Sequence, residues 1–408
     1  MPTPADSLAI DAIEVSAVMP CLSEELTIGT CIRKAQRSFR ELGIRGEVVV
    51  ADNGSTDDSV RIAESLGARV VREKTPGYGA ALRRGIEEAR GAIVIIADAD
   101  DSYDWLDLAG YINRLREGYD LVVGDRFAGG IEPGAMPALH RYLGNPVLSF
   151  LARSLFRTPV RDFHCGMRAF TKKAYEAMRL STTGMEFATE MIANASLQGL
   201  RISQVPARLY PDGRNRPPHL RSFRDGWRHL RFIFTWAPDY LYLAPGGLML
   251  AAGLLLIGAL SAGPVHWKGE YIGIHFLALG CVLALTGFNI AGFGVVAKVL
   301  ISRRLPNLKS RVVTWCETRF TLERGLLGSL LPLLSGAIVD VALLYRWLTS
   351  NDPMDDTAHL AFTATTMISF GVNGALMSFL LQMLLSSPRA GAVDSTAEDL
   401  ERLSRHVG

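Results

Sequence analysis

Paired cysteines are missing from this sequence. Its five cysteines, Cys21, Cys31, Cys165, Cys281 and Cys316, are scattered, odd in number and never spaced C-x-x-C. That excludes a disulfide framework and a sequence-readable zinc site, and agrees with a reducing compartment. A strong charge imbalance is missing too. The formal net charge is +2, which leaves no footprint for nucleic acid, so none is expected as a partner. No G-x-G-x-x-G follows the first predicted strand; the nearest glycines, Gly77 and Gly79 in KTPGYGAALRRG, come two strands later, which argues against a dinucleotide fingerprint. There, Gly79, Ala80, Ala81 and Gly85 are read as small residues that let a helix sit close on a sheet. The opening MPTPADSLAIDA lacks a basic start followed by an apolar stretch, so no signal peptide is expected.

What is abundant is apolar sequence, at 49 % of residues and unevenly placed. Four long runs occupy about 241–262, 272–300, 326–348 and 358–386. Each can cross a hydrocarbon core of about 30 Å, which takes roughly 20 helical residues. The chain therefore divides into an N-terminal tail (1–12), a soluble domain (13–217), a juxtamembrane amphipathic helix (218–237), a four-helix transmembrane region (238–388) and a C-terminal tail (389–408). Arg221, Arg224, Arg228 and Arg231 precede the first run, Arg303, Arg304, Lys309, Arg311, Arg319 and Arg324 lie between the second and third, and Arg389 follows the fourth. The opposite loops hold Lys268 and the acidic NDPMDD. By the positive-inside rule the expected place is the inner (cytoplasmic) membrane, multi-pass, with the soluble domain and both termini cytoplasmic. Within the runs, Lys298 and His275 sit near span ends and can snorkel. Asp340 lies deeper, where a functional role and a helix-to-helix hydrogen bond are both open.

In the soluble part, β-rich runs alternate with amphipathic helical stretches. EVSAVM (14–19), EVVVA (47–51), ARVV (68–71) and AIVIIA (92–97) are separated by predicted helices near 24–42, 56–66 and 78–90. That order predicts an α/β domain with a parallel sheet covered by helices, whose ligands bind beyond the carboxyl ends of the strands. Three of those ends carry acids: Glu24, Asp52 and the stretch ADADDSYDW. The last puts Asp98, Asp100, Asp101 and Asp104 within seven positions, and so many like charges need open water or a cation to offset them. In an extended chain Asp98 and Asp100 point the same way. Asp101 and Asp104 read as helix-start acids, with Asp104 capping a helix that opens at Trp105.

Taken together, MPCLSEE, VVVADNGSTDDS, PGYGAALRRGIEEARG, IIADADDSYD, VVGDRF and DFHCGMRAF resemble glycosyltransferase family 2 enzymes, in the family's order and spacing over about Val15 to Pro206. Within that family the chain is similar to the polyprenyl-phosphate (dolichol-phosphate) glycosyltransferases, such as dolichol-phosphate mannose synthases. The resemblance implies a GT-A, Rossmann-like nucleotide-sugar-binding domain whose Asp-x-Asp pair, here Asp98 and Asp100 flanking Ala99, holds Mg²⁺ or Mn²⁺. It implies donor contacts from Glu24 and Asp52, a first turn shaped by Pro20, and Arg126 at a phosphate-binding position. Ser102 stands where many relatives carry glutamine. Asp162 falls in a motif where an aspartate has been considered a catalytic base; it and Glu190 are given orienting roles.

An acceptor hydroxyl would need a base, but a phosphate monoester with a second pKa near 6 is largely a dianion at pH 7. What it needs is guanidinium groups. Candidates for the acceptor phosphate are Arg141, Arg168, Arg214, Arg216 and Arg221, with Arg126 beside them. In LRSFRDGWRHLRFIFTW, Phe223, Trp227, Leu230 and Phe234 make one helical stripe and Arg224, Arg228 and Arg231 another, as in a helix lying in a membrane interface. The expected activity is inverting, metal-dependent transfer of one hexose from UDP-glucose or GDP-mannose to a polyprenyl phosphate lipid, with a homo-oligomer left open. A processive polysaccharide synthase is one rival, but no glutamine here begins a Gln-x-x-Arg-Trp motif. A nucleotide-sugar-sensing transporter is the other, and few intramembrane charges are present to line its pathway.

Overall fold

The computed structural model describes residues 13–214, 222–268, 270–305, 310–349 and 357–387. Both tails, Arg216 and Arg221 lie outside the described residues. The chain divides into two compact units, Met1–Trp236 and Ala237–Gly408.

The first unit is built on strands β1 (Val15–Cys21), β2 (Gly46–Asp52), β3 (Arg69–Arg72), β4 (Ile93–Ile96), β5 (Leu121–Asp125), β6 (Arg168–Thr171) and β7 (Ile202–Pro206), in the order β3-β2-β1-β4-β6-β5-β7. β1 is buried almost throughout, as a central strand covered on both faces requires. The helix α1 (Ile28–Glu41) turns Ile28, Cys31, Ile32, Ala35 and Phe39 inward at three- and four-residue spacing. α2 (Ser59–Ser65) and α3 (Tyr78–Glu88) complete the first β-α repeats, followed by α4 (Ala109–Arg116), the short α5 (Arg126–Gly129), α6 (Asn145–Phe156), α7 (Lys172–Met178), α8 (Phe187–Leu197) and α9 (Ser222–Thr235). β1 to β4 pair in parallel, as the sequence predicts, but β6 runs antiparallel to both β4 and β5. This mixed, helix-covered sheet has the GT-A architecture.

The second unit holds four helices long and apolar enough to cross a membrane, spanning Asp239–Leu260, Ile274–Arg304, Leu322–Thr349 and Ala358–Ser386. α10 (Ala244–Leu260), preceded by a π-turn over Asp239–Leu243, packs on α11 (Ile274–Arg304). A Cβ at Gly246 or Gly253 of α10 would run into the α11 backbone at Ala291 or Ala284, so glycine lets the two helices touch main chain to main chain. After the short α12 (Arg311–Thr318) comes a second packed pair, α13 (Leu322–Thr349) and α14 (Ala358–Ser386). Thr365 of α14 donates to Asp340 Oδ2 of α13 at 3.5 Å, a long helix-to-helix hydrogen bond. Lys298 Nζ, which the sequence places at a snorkelling position, meets Asp239 at 2.6 and 2.8 Å. Unforeseen by the sequence, Val265–Trp267 and Glu270–Ile272 pair as two short antiparallel strands between the first two spans.

Candidate functional site

The carboxyl ends of β1, β2 and β4 open on a cavity of about 540 Å³, lined by Pro20, Glu24, Asn53, Tyr78, Asp98, Ala99, Asp100 and Arg214 among others. That volume lies within the range of small-molecule sites. Asp98 and Asp100 both face it. Burial and the neighbouring Asp100 charge push the Asp98 carboxyl up to about 7. Asp100 Oδ1 accepts from Ser102 N at 3.1 Å and Ser102 Oγ at 2.5 Å. Asp100 Oδ2 accepts from Arg214 Nη2 at 2.6 Å, and Arg214 Nε donates to Glu24 Oε2 at 3.0 Å. Ser102 therefore stands behind Asp100 and orients it, instead of facing the cavity.

These donors suit a hard divalent cation. Among the described residues no three His, Cys, Asp or Glu side chains gather into a cage. Two carboxylates beside an open cavity match magnesium or manganese held partly by protein and partly by phosphate oxygens and water. A cation would also relieve the repulsion that disfavours the charged form of Asp98.

Asp101 and Asp104 face elsewhere, toward α1, where Lys34 Nζ lies 2.8 Å from Asp101 and 3.9 Å from Asp104. Asp104 does not cap a helix at Trp105. Its Oδ1 accepts from Leu106 N at 3.1 Å in a turn, and α4 begins only at Ala109. Asp52 accepts from Ser55 N at 3.0 Å, closing an Asx-type turn, while its neighbour Asn53 lines the cavity. Asn53 Oδ1 also accepts from Gly77 N at 2.8 Å.

The opposite wall is the loop 181–185. Glu190 is fully buried and accepts from the N–H and hydroxyl of both Ser181 and Thr182, at 2.7 to 3.0 Å. It therefore shapes a loop whose Gly184 and Met185 line the cavity, without lining it itself. Gly77 (φ 145°) abuts Thr183 O, where a Cβ would collide; Ala80 N donates to the same oxygen at 3.2 Å. Of the two glycines in α3, Gly79 packs on this loop and Gly85 sits against the sheet, at Val18 and Ala51.

Three arginines depart from their expected places. Arg126 forms a bidentate ion pair with the fully buried Asp162, at 2.7 Å (Nε to Oδ2) and 2.8 Å (Nη2 to Oδ1). The two face each other, and neither lines the cavity. Arg168, expected at an acceptor phosphate, lies inside the domain instead. It is 1 % exposed, and its guanidinium is taken up by the carbonyls of Cys165 at 2.9 Å, Phe163 at 2.7 Å and Ala188. Arg141 lies in a π-turn over His140–Gly144, its guanidinium 5.6 Å from the Tyr142 ring, and is not brought to the cavity.

In their place the structure brings Arg224, Asp225 and Arg228 of α9 to the cavity wall. On the same helix Phe223 and Trp227 are 87 % and 62 % exposed. α9 is fixed to the domain through His229, whose Nδ1 lies 2.8 Å from Thr189 Oγ1 and whose ring meets His164 edge-on at 4.5 Å. Burial holds both imidazoles neutral, His229 down to about 4 and His164 well below its ordinary value. The unfolded chain protonates both near 6.5, so their contribution to stability is complete above that pH and is lost as pH falls toward 4. For His229 alone the loss is on the order of 3 kcal/mol. We expect the thermal midpoint of the full chain in detergent to drop between pH 6.5 and 4, and to drop less steeply in His229→Asn.

Comparison with known proteins follows the same lines. The glycosyl transferase family 2 model matches residues 16–179, and that for the glycosyltransferase family 2 C-terminal transmembrane region matches residues 295–385. The low-salt glycan biosynthesis hexosyltransferase Agl6 of Haloferax volcanii is 38 % identical over 372 residues, covering 91 % of this chain and 89 % of that protein. The dolichyl-phosphate hexose transferase of the same organism is 32 % identical over 194 residues, 47 % of this chain and 81 % of that protein. Among solved structures, glucosyl-3-phosphoglycerate synthase from Mycobacterium tuberculosis, in complex with Mn²⁺, uridine diphosphate and glucosyl-3-phosphoglycerate, is 25 % identical with a TM-score of 0.43, covering 56 % of this chain and 80 % of that chain. A relative matched along nearly its whole length, together with a catalytic and a membrane segment in the family's own order, places the chain in glycosyltransferase family 2, among members with a C-terminal transmembrane region.

Proposed function

We propose that this glycosyltransferase moves one hexose from a nucleotide-diphosphate sugar to a polyprenyl phosphate at the cytoplasmic face of the membrane, by a metal-dependent, inverting displacement. One observation carries the reading: a single cavity is lined by the acids Asp98 and Asp100 and by Arg224 and Arg228 of an amphipathic helix. Only a few residues of chain separate the end of that helix, Thr235, from the first span at Asp239. The names of the two archaeal relatives, a hexosyltransferase and a dolichyl-phosphate hexose transferase, support it.

The residues divide the work. Pro20, Glu24 and Asn53 form the end of the cavity at β1 and β2, suited to a nucleoside, and Asp98 and Asp100 would hold the cation. When bound, Mg²⁺ or Mn²⁺ offsets the negative charge that gathers on the departing nucleotide diphosphate. Arg224 and Arg228 supply guanidinium groups for the acceptor phosphate. Phe223 and Trp227, exposed on α9, suit the interface between headgroups and acyl chains. The phosphate dianion attacks the anomeric carbon itself, in one displacement that inverts configuration. No general base is required, in keeping with Asp162 and Glu190 both lying off the cavity. By the positive-inside rule, the basic loops described above support the cytoplasmic orientation.

The test is to incubate membranes holding the protein with labelled UDP-glucose or GDP-mannose, a short polyprenyl phosphate and Mg²⁺. A labelled lipid is expected from one donor; none from any hexose donor would refute the reading. Arg224→Ala and Arg228→Ala should each raise KM for the lipid about tenfold and leave KM for the nucleotide-sugar nearly unchanged.

A further inference from the structure

Arg214 is placed where a cation is needed. Its side chain is 13 % exposed, and its guanidinium reaches two acids at once, Glu24 after β1 and Asp100 after β4, at 3.0 and 2.6 Å. The chain separations are long, 190 and 114 residues, so the contact is made by the tertiary fold and not by local geometry. Asp100 Oδ1 is already taken by the Ser102 backbone and hydroxyl. Oδ2 is therefore the oxygen that faces a cation, and Arg214 Nη2 holds it. A guanidinium and a divalent ion compete for that oxygen, because both draw on its outward lone pairs and their charges repel.

We propose that Arg214 is an exchangeable stand-in for the divalent cation: it neutralises Glu24 and Asp100 in the free enzyme and is displaced from Asp100 when the cation arrives with its nucleotide diphosphate. The inference rests on Asp98 and Asp100 being the metal-holding pair. It explains how Glu24, Asp98 and Asp100, three of the five acids that line the cavity with Asp212 and Asp225, are tolerated side by side before substrate binds. It also sets an order. The cation alone competes with Arg214, whereas a cation bringing a diphosphate offers the freed guanidinium a new anionic partner in the same cavity. Metal and nucleotide should therefore bind with positive cooperativity, each tightening the other.

Binding of Mn²⁺ to the full chain in detergent, followed by electron paramagnetic resonance without any donor, reads this directly and needs no turnover. In Arg214→Gln, Mn²⁺ alone should bind tighter by on the order of tenfold, the equivalent of one charge-assisted hydrogen bond removed from competition. The enhancement of Mn²⁺ binding by UDP or GDP should shrink in the same variant. Arg214→Lys, which keeps a cation but loses the two-acid reach, should fall between wild type and Arg214→Gln. If Arg214→Gln binds Mn²⁺ no tighter than wild type while Asp100→Asn abolishes binding, the exchange is refuted and the metal pair stands. If Asp100→Asn leaves Mn²⁺ binding unchanged, the metal pair falls, and the exchange with it.

Discussion

Asp100→Asn is expected to abolish transfer, lowering kcat/KM for lipid glycosylation by on the order of 10³ or more, while the chain stays folded. The amide keeps an oxygen that can still accept from Ser102 N and Oγ, so the local turn survives. What it loses is the negative charge that, with Asp98, would hold the divalent ion. The effect is large because stabilising charge on a leaving group acts on the transition state and not on substrate binding alone. Labelled-lipid formation at saturating Mg²⁺, beside a thermal unfolding curve, separates chemistry from folding. A variant that kept most of its turnover would remove the metal assignment.

The second large effect concerns stability. Arg126→Ala leaves the Asp162 carboxylate fully buried with no guanidinium, and Asp162→Ala leaves the buried Arg126 with no carboxylate. Each should destabilise the first unit by about 3–5 kcal/mol, the range for breaking one half of a buried ion pair. The double variant Arg126→Met/Asp162→Leu should cost less than the sum of the two, a coupling that a double-mutant cycle reads out. It will not be neutral, because Asp162 also accepts from the backbone N–H groups of Arg126 and His164, both at 3.2 Å, and leucine leaves them unsatisfied. Additive losses would mean that the pair is not the source of the stability.

The first four strands were legible because each is a short apolar run followed by a polar turn and an amphipathic helix, a pattern local in the chain. The convergence of Asp98 and Asp100 was legible for the same reason, since two residues apart at a strand end is a local geometry. Arg126 and Asp162 were not. They are 36 residues apart, and nothing in GDRF or DFHC says that each is the other's partner. Arg168 carried a signal that could have been used: it sits between Met167 and Ala169, in a run that becomes β6, flanked by strands on both sides. An arginine there must find carbonyls inside the protein. The arginines that reach the cavity, Arg224 and Arg228, were visible as a helical stripe, but only the fold shows that the stripe faces the acids. The antiparallel β6 escaped prediction because strand direction is set by long connections, which leave no periodic mark in the sequence.

The contact between Gly77 and Thr183, seconded by Glu190's grip on Ser181 and Thr182, joins two segments distant in the chain into one side of the cavity. A side braced in this way is retuned by exchanging what projects from it. Sugar preference among relatives built this way should therefore diverge at half-buried, cavity-lining positions such as Tyr78 and Met185, whereas a bulkier residue at 77 would spoil recognition of every donor alike.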